Sequence, residues 1–305
     1  MKIAINRDVF LKSLGHAYGI IEKKTTLPIL ANVLIEAKGT KAKITATDLD
    51  IIYSEEVVLE ELNTEGSTTT SASVLYDILR KLEPNAKVEL FLQSENKLKL
   101  TSGNSKFNLL CISSNNFPVS NEDFVSENFQ ISSRKLLKLL NKAKISISND
   151  ETRHYLSGIY IHQTEVEDKN YLTAVATDSH RMSISKIRLD HKVEFESIIL
   201  PKKTIFQLCT LLENFDGDVK ISNIKSKIKF EFNNSTLISK LIDGKFPNYI
   251  QVIPKNNQKK LEVDLKPFLS SVDRVASVSL DKKDGVKFNL NKDSLNLSVN
   301  NTNSG

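Results

Sequence analysis

The sequence predicts an α+β fold: a strand-rich unit carrying two helices, used twice in full and a third time in part. Three observations lead there. A strand, turn and helix open the chain and return twice. An alternating hairpin closes on Ala46-Thr47-Asp48 and again on Ala176-Thr177-Asp178. Phe117-Pro118 recurs as Phe246-Pro247, so the repeat length is roughly 130 residues.

Each element follows from its periodicity. Ile3 and Ile5 alternate as in a strand, and Val9, Phe10, Leu11, Leu14 and Ala17 then recur at helical spacing. The same order appears at Phe129, Ile131, Leu136, Leu137, Leu140 and Ala143, and again at Leu261, Val263, Phe268, Leu269, Val272 and Val275. Residues 28–35 and 43–47 alternate as a hairpin. A second helix is expected over 74–82, with Leu75, Ile78, Leu79 and Leu82 on one stripe, and its counterpart over 204–212, with Ile205, Leu208, Cys209 and Leu212. In the third unit Leu295, Leu297 and Val299 alternate before Asn300-Asn301, which ends the strand through Asx-type turn bonds. A polar tail, 300–305, then arrives before any second helix or Phe-Pro pair. The expected domains are therefore 1–124, 125–254 and 255–305, the last an N-terminal part only. Linkers are expected near 121–128 and 254–259, where polar residues replace the apolar pattern.

A chain of 305 residues is long for a single core, and two or three domains are the expectation. Hydrophobic residues at 40% and charged residues at 26% fit a soluble globular chain rather than a disordered or fibrous one. No apolar run reaches membrane-helix length and the N-terminus does not pattern as a signal peptide, so a cytoplasmic protein with no membrane association is expected. Cys111 and Cys209 lack a CxxC spacing or a neighbouring His and read as reduced core residues. No metal or cofactor is expected.

The net charge of +5 is mild, so nucleic-acid contact would need local clustering. Such a cluster exists. Arg134, Lys135, Lys138, Lys142 and Lys144 lie in a stretch, 133–147, with no acidic residue. If equivalent helices share one surface, Arg7, Lys12, Lys24, Arg80, Lys81, Lys202 and Lys203 extend it into a track for a phosphate backbone. No base-reading motif accompanies it.

Thr177-Asp178-Ser179-His180-Arg181 brings Ser, His and Asp together, but neighbouring strand residues face opposite ways and do not assemble a nucleophile, base and orienter. An Asx turn or a binding rim is the better reading. No GxxxxGK[ST] or GxGxxG motif supports nucleotide chemistry, and no catalytic residue is assigned. Asp48 and Asp50 read as turn residues without a metal, and Glu55 and Glu56 as solvated strand residues.

Thr26-Leu27-Pro28-Ile29-Leu30, Thr177-Asp178-Ser179-His180-Arg181 and Asp243-Gly244-Lys245-Phe246-Pro247-Asn248-Tyr249 together resemble the bacterial DNA sliding clamp family, the beta subunit of the replicative polymerase. The resemblance runs along essentially the whole chain. It implies a non-enzymatic homodimer, each subunit of three domains, closing into a ring around duplex DNA without sequence specificity. It implies as partners the DNA polymerase III catalytic subunit, the clamp loader, and other polymerases and repair proteins bearing short clamp-binding peptides. Carried over, the DNA-facing positions are Lys24, Arg80, His154, Tyr155, Lys202 and Lys203. The peptide pocket falls on Leu156, Thr177, Ser179, His180, Arg181, Met182, Pro247, Gln251 and Val252. The dimer interface sets Lys106, Phe107 and Leu109 against a surface that includes Val278. The chain departs from the family pattern at Ser179, where glycine is usual, and at Gln251, where a basic residue is common. Because the third unit is partial, an incomplete pocket and a weakened ring interface are expected. Two other readings fit the residues: a repeat scaffold that binds proteins without encircling DNA, and a DNA-processing enzyme using His180 and Asp178.

Overall fold

The first strand, β1 (Lys2–Asn6), gives way to α1 (Arg7–Tyr18) because the Asn6 side chain accepts from the Asp8 amide at 2.9 Å. Such a cap satisfies a first-turn amide that has no helical partner. The chain continues through β2 (Asn32–Lys38), β3 (Lys41–Thr47), β4 (Ile51–Val58), β5 (Glu61–Thr64) and β6 (Gly66–Ser71) to α2 (Ala72–Lys81), and then β7 (Lys87–Ser94), β8 (Lys97–Ser102) and β9 (Ser105–Ile112). The second repeat follows this order with one strand fewer between its helices: β10 (Asn128–Ser132), α3 (Ser133–Ala143), β11 (Gly158–Val166), β12 (Lys169–Thr177), β13 (Met182–Arg188), β14 (Ile198–Pro201), α4 (Lys202–Leu212), β15 (Asp218–Ile224), β16 (Lys227–Phe232) and β17 (Ser235–Lys240). After these come α5 (Leu265–Ala276), β18 (Lys287–Leu290) and β19 (Leu295–Ser298).

This computed structural model describes residues 1–22, 26–118, 128–190, 192–193, 195–279 and 285–299. It forms two units, Met1–Phe246 and Pro247–Gly305.

In the larger unit the helices of the two repeats pack alike. α1 packs on α2 and lies over β3 and β4; α3 packs on α4 and lies over the counterpart strands β12 and β13. The α1 and α2 helices are clamped by stacked Tyr18 and Tyr76 rings, 5.1 Å apart. The strands form a sheet of order β10-β15-β16-β17-β4-β3-β2-β6-β9-β8-β7-β1-β5 and a second of order β13-β12-β11-β14. The repeats join where β17 pairs antiparallel with β4, Ile238 opposite Ile52 and Leu237 opposite Tyr53. One hydrogen-bonded ladder therefore crosses from the first repeat into the second. Beneath it lies a core of fully buried side chains that includes Phe10, Leu14, Tyr53, Leu75, Leu79 and Phe230. Each such burial contributes about 1.5–3 kcal/mol.

The joint also contradicts one expectation. Glu55 is 8% exposed rather than solvated, while Glu56 is exposed. The Tyr53 hydroxyl donates to Glu55 Oε2 at 2.9 Å and meets Ser235 Oγ at 3.1 Å, and His16 Nδ1 lies 3.1 Å from the same carboxylate oxygen. Helix α1, strand β4 and the second-repeat strand β17 are thus tied by one polar cluster. Burial pushes the Glu55 carboxyl up, but the hydrogen bond and charge of His16, with the Ser13 and Tyr53 hydroxyls, bring it below its ordinary value. Burial and the Glu55 charge drive the Tyr53 phenol upward. Gln207 of α4 adds a bond from Nε2 to the His16 carbonyl at 3.1 Å.

The smaller unit holds α5, capped by Asp264 accepting from the Lys266 amide, with Phe268 set 5.9 Å from Phe288 of the β18–β19 hairpin. The strand expected at Leu261 and Val263 is absent. Both side chains are 47% exposed, and no strand among the described residues of this unit lies alongside. In the first two repeats the equivalent strands pair with β7 and β15, and a strand without a ladder partner does not persist. The 254–259 segment is irregular and exposed as expected, and Asn300-Asn301 and most of the 121–128 linker lie outside the described residues. Cys111 and Cys209 are buried free thiols. No helix among the described residues is long and apolar enough to cross a membrane.

Candidate functional site

The Thr177–Arg181 turn is built from its own side chains. Thr177 Oγ1 donates to the Arg181 carbonyl at 2.8 Å and accepts from the Ser179 amide, and Asp178 Oδ1 accepts from the His180 and Arg181 amides, each at 3.0 Å. Arg181 Nε closes a 3.0 Å ion pair on the same carboxylate. Asp178 is thereby committed to shaping the turn, which removes it from the enzymatic reading. Ser179 has φ of 77°, the left-handed region where glycine is favoured. The turn thus holds serine in a backbone that glycine would adopt without strain.

Asp178 gives a pH prediction. Burial pushes its carboxyl up, but the two amides and the Arg181 guanidinium outweigh this and hold it at about 2, against an ordinary 3.8. A depressed folded-state value means that the turn's contribution is complete above about pH 4 and is lost as the pH falls toward 2. Carboxyl-carbon NMR should show Asp178 titrating well below the bulk of the carboxylates. Titration at the ordinary value would contradict the turn as described.

The adjoining turn, 151–156, is docked onto this one. Asp150 accepts from the Thr152 amide at 3.0 Å and from Arg153 Nε at 2.8 Å, and Arg153 Nη1 donates to Ser179 Oγ at 2.6 Å. Thr152, Arg153 and these hydrogen bonds hold the Asp150 carboxyl below its ordinary value. His154 Nε2 donates to the Asp243 carbonyl at 3.2 Å and its ring sits edge-on to Tyr155. Gly244, with φ of 143°, passes the half-buried Tyr155 so closely that an added Cβ would lie 3.3 Å from Tyr155 Cβ. Leu156 is buried, Met182 half-buried, and His180 and Arg181 exposed. In the smaller unit Pro247, Gln251 and Val252 are exposed, Val252 at 69%.

The basic positions divide. Lys24 lies outside the described residues. Arg80 projects from the end of α2 beside Asp77, at 3.8 Å. Lys202 donates to Asn149 Oδ1, and Lys203 is paired to Asp48 and, at 3.6 Å, to Glu22. Lys203 thus cross-links the repeats. On α3, Lys138 and Lys142 are exposed, whereas Arg134 and Lys135 face Asp216 and Asp190. On β9, Lys106 is exposed, Phe107 packs against the core and Leu109 is 6% exposed within it. Val278 is 60% exposed.

Three family models match in succession: the DNA polymerase III beta subunit N-terminal domain over residues 1–121, its central domain over 130–248 and its C-terminal domain over 250–305. The chain belongs to the DNA polymerase III beta subunit family. It is 36% identical over 307 residues to a beta sliding clamp of Caulobacter vibrioides, spanning 100% of this chain and 82% of that one. With a Rickettsia felis beta sliding clamp it shares 33% identity over 303 residues, 98% of this chain and 78% of the other. Among solved structures, a Caulobacter crescentus beta sliding clamp superimposes with a TM-score of 0.96 at 36% identity, covering 100% of this chain and 81% of that one. A sliding clamp from Bartonella birtlesii bound to griselimycin gives 0.95 at 38% identity, covering 100% and 82%.

The α+β repeat expected from periodicity, and the clamp fold that the resemblance implies, are therefore the fold of this family member. Two features escaped the sequence reading. Arg153 links the 151–156 turn to Ser179, and its charge in an otherwise turn-forming stretch was the available signal. Leu110 is 85% exposed on the outer face of β9, opposite the Phe107 and Leu109 face. The alternation of β9 is consistent with either face being inward, and only packing decides it.

Proposed function

We propose that the chain is the subunit of a sliding clamp: a non-enzymatic ring around duplex DNA that confers processivity on the replicative polymerase and docks replication and repair proteins through a peptide-binding pocket. The observation that carries this reading is the β4–β17 ladder, which joins successive repeats edge to edge as a ring of repeats requires. The proposed domains are 1–124, 125–254 and 255–305. Lys24, Arg80, His154, Tyr155, Lys202 and Lys203 are the proposed DNA-facing residues, with Lys203 acting partly through its ion pairs. Diffuse lysine and arginine contacts hold a ring near the backbone without fixing a register.

The proposed pocket comprises Leu156, Thr177, Ser179, His180, Arg181, Met182, Pro247, Gln251 and Val252, with apolar walls and a polar rim suited to peptide anchors. Lys106, Phe107, Leu109 and Val278 are proposed for pairing of two copies into a homodimer. The DNA polymerase III catalytic subunit, the clamp loader and other peptide-bearing polymerases and repair proteins are the proposed partners, in the cytoplasm.

The test is topological. Loaded onto nicked circular DNA, the protein should stay bound through gel filtration and leave when the circle is linearised. Equal retention on both forms would favour a scaffold. His180→Ala with Met182→Ala should weaken partner-peptide binding about tenfold while leaving retention on circles unchanged; unchanged peptide binding would sink the pocket assignment.

A further inference from the structure

The larger unit carries a second cleft, at the joint of the first and second repeats, with a volume of 260 Å³. On its first-repeat side are Thr47, Leu49, Asp50, Ile52 and Pro118; across from them, on the second repeat, are Lys227, Ile238 and Lys240. Thr47, Leu49, Asp50 and Ile52 occupy the repeat positions of Thr177, Ser179, His180 and Met182, and Pro118 that of Pro247. The bonding is repeated as well. Thr47 Oγ1 donates to the Ile51 carbonyl at 2.8 Å and accepts from the Leu49 amide, and Asp48 Oδ1 accepts from the Asp50 and Ile51 amides at 3.0 and 2.7 Å. Leu49 has the same φ of 77° as Ser179.

A leucine held left-handed is strained, by about 1–2 kcal/mol, and such strain persists only where the surroundings over-determine it. Here the turn fixes Leu49 at the mouth of the cleft with its side chain 44% exposed. The volume is below the roughly 300–1,000 Å³ that engulfs a whole small molecule, and it suits side-chain anchors. The lining includes Lys227, Lys240 and Asp50, and the Lys240–Asp50 pair, 3.0 Å long, is exposed on both sides. An exposed pair contributes only about 0–1 kcal/mol and exchanges readily for a ligand carboxylate.

We infer that this cleft docks a short extended protein segment in which aliphatic anchors alternate with acidic residues, the anchors against Leu49, Ile52, Pro118 and Ile238 and the carboxylates against Lys227 and Lys240. The inference rests on reading the second-repeat residues as a peptide pocket, since the correspondence of the two turns is part of the argument.

The probe is a fluorescein-labelled peptide, Ser-Glu-Leu-Ile-Glu-Leu-Ser, with a benzophenone variant for photo-crosslinking, and the protein is the full chain. In a Met182→Ala, His180→Ala background, which weakens the second-repeat pocket, saturable anisotropy should remain and crosslinks should map to the 47–52 turn or β17. Adding Leu49→Gly and Lys227→Glu should weaken that binding about tenfold or more. Leu49→Gly alone relieves the left-handed strain, so an unchanged or raised melting temperature shows that the fold is intact. Crosslinks confined to 177–182 in the wild-type chain would overturn the inference and leave the second-repeat pocket standing. No saturable binding, or binding indifferent to Leu49 and Lys227, would overturn it too. Failure of the second-repeat reading shows separately, as partner-peptide binding indifferent to Met182 and His180.

Discussion

Tyr53→Ala is expected to lower the unfolding free energy by about 4 kcal/mol, within the range for deleting a buried aromatic ring. Tyr53 is fully buried at the joint of the repeats, and its hydroxyl reaches both Glu55 on its own strand and Ser235 on the partner strand. The substitution opens a cavity and strips the buried Glu55 carboxylate of a donor. Tyr53→Phe separates the two losses, because it keeps the ring and should cost about 1–2 kcal/mol for the unsatisfied acceptor. Urea denaturation would measure both, and a Tyr53→Ala cost below about 1 kcal/mol would be incompatible with this account of the joint. The sign with pH follows from Glu55. Its folded-state carboxyl is held below the ordinary 4.5, so its contribution is complete above about pH 4.5 and declines as acid protonates the folded protein. In Glu55→Gln that part of the acid sensitivity should disappear.

Gly158→Ala is expected to cost about 3 kcal/mol or more, the upper end for overpacking. A Cβ at Gly158 would sit 2.3 Å from the Leu200 carbonyl oxygen and 3.0 Å from its carbon. Both are backbone atoms of β14, which pairs there with β11, Gly158 opposite Pro201. No side-chain rotation relieves the clash, so the two strands must part. A single residue separates Gly158 from the 151–156 turn that presents His154, Tyr155 and Leu156, so a surviving variant should also bind partner peptide more weakly. A lowered melting temperature with β11–β14 amides newly exchanging in hydrogen exchange would mark the mechanism. A wild-type melting temperature would contradict it.

The repeat was legible because it is written in local periodicity. Phe10 and Leu14 at helical spacing, and Ile3 and Ile5 at strand spacing, need no knowledge of distant residues. Glu55 was misread for the opposite reason: what covers it is His16 of α1 and the Tyr53 hydroxyl that Ser235 of the second repeat also engages, and alternation alone marks β4 as half-solvated. The same limit hid the pairing of Lys203, whose carboxylate partners, Asp48 and Glu22, come from the first repeat. The turn at 177–181 was readable as an Asx turn because Thr, Asp and backbone amides two and three residues on suffice to build it. Leu261 and Val263 alternate as strand residues do, yet a strand is a property of a pair, and alternation names only one member.

The β4–β17 ladder has a mechanical consequence. Its strands run antiparallel through five paired positions, Ser235 opposite Glu55 to Ser239 opposite Ile51. Tension that slides one strand along the other loads these bonds together, so none yields before its neighbours share the force. A joint of this kind resists stretch as a block rather than unzipping. Stretch applied across the joint of the first two repeats is therefore carried by the whole ladder at once.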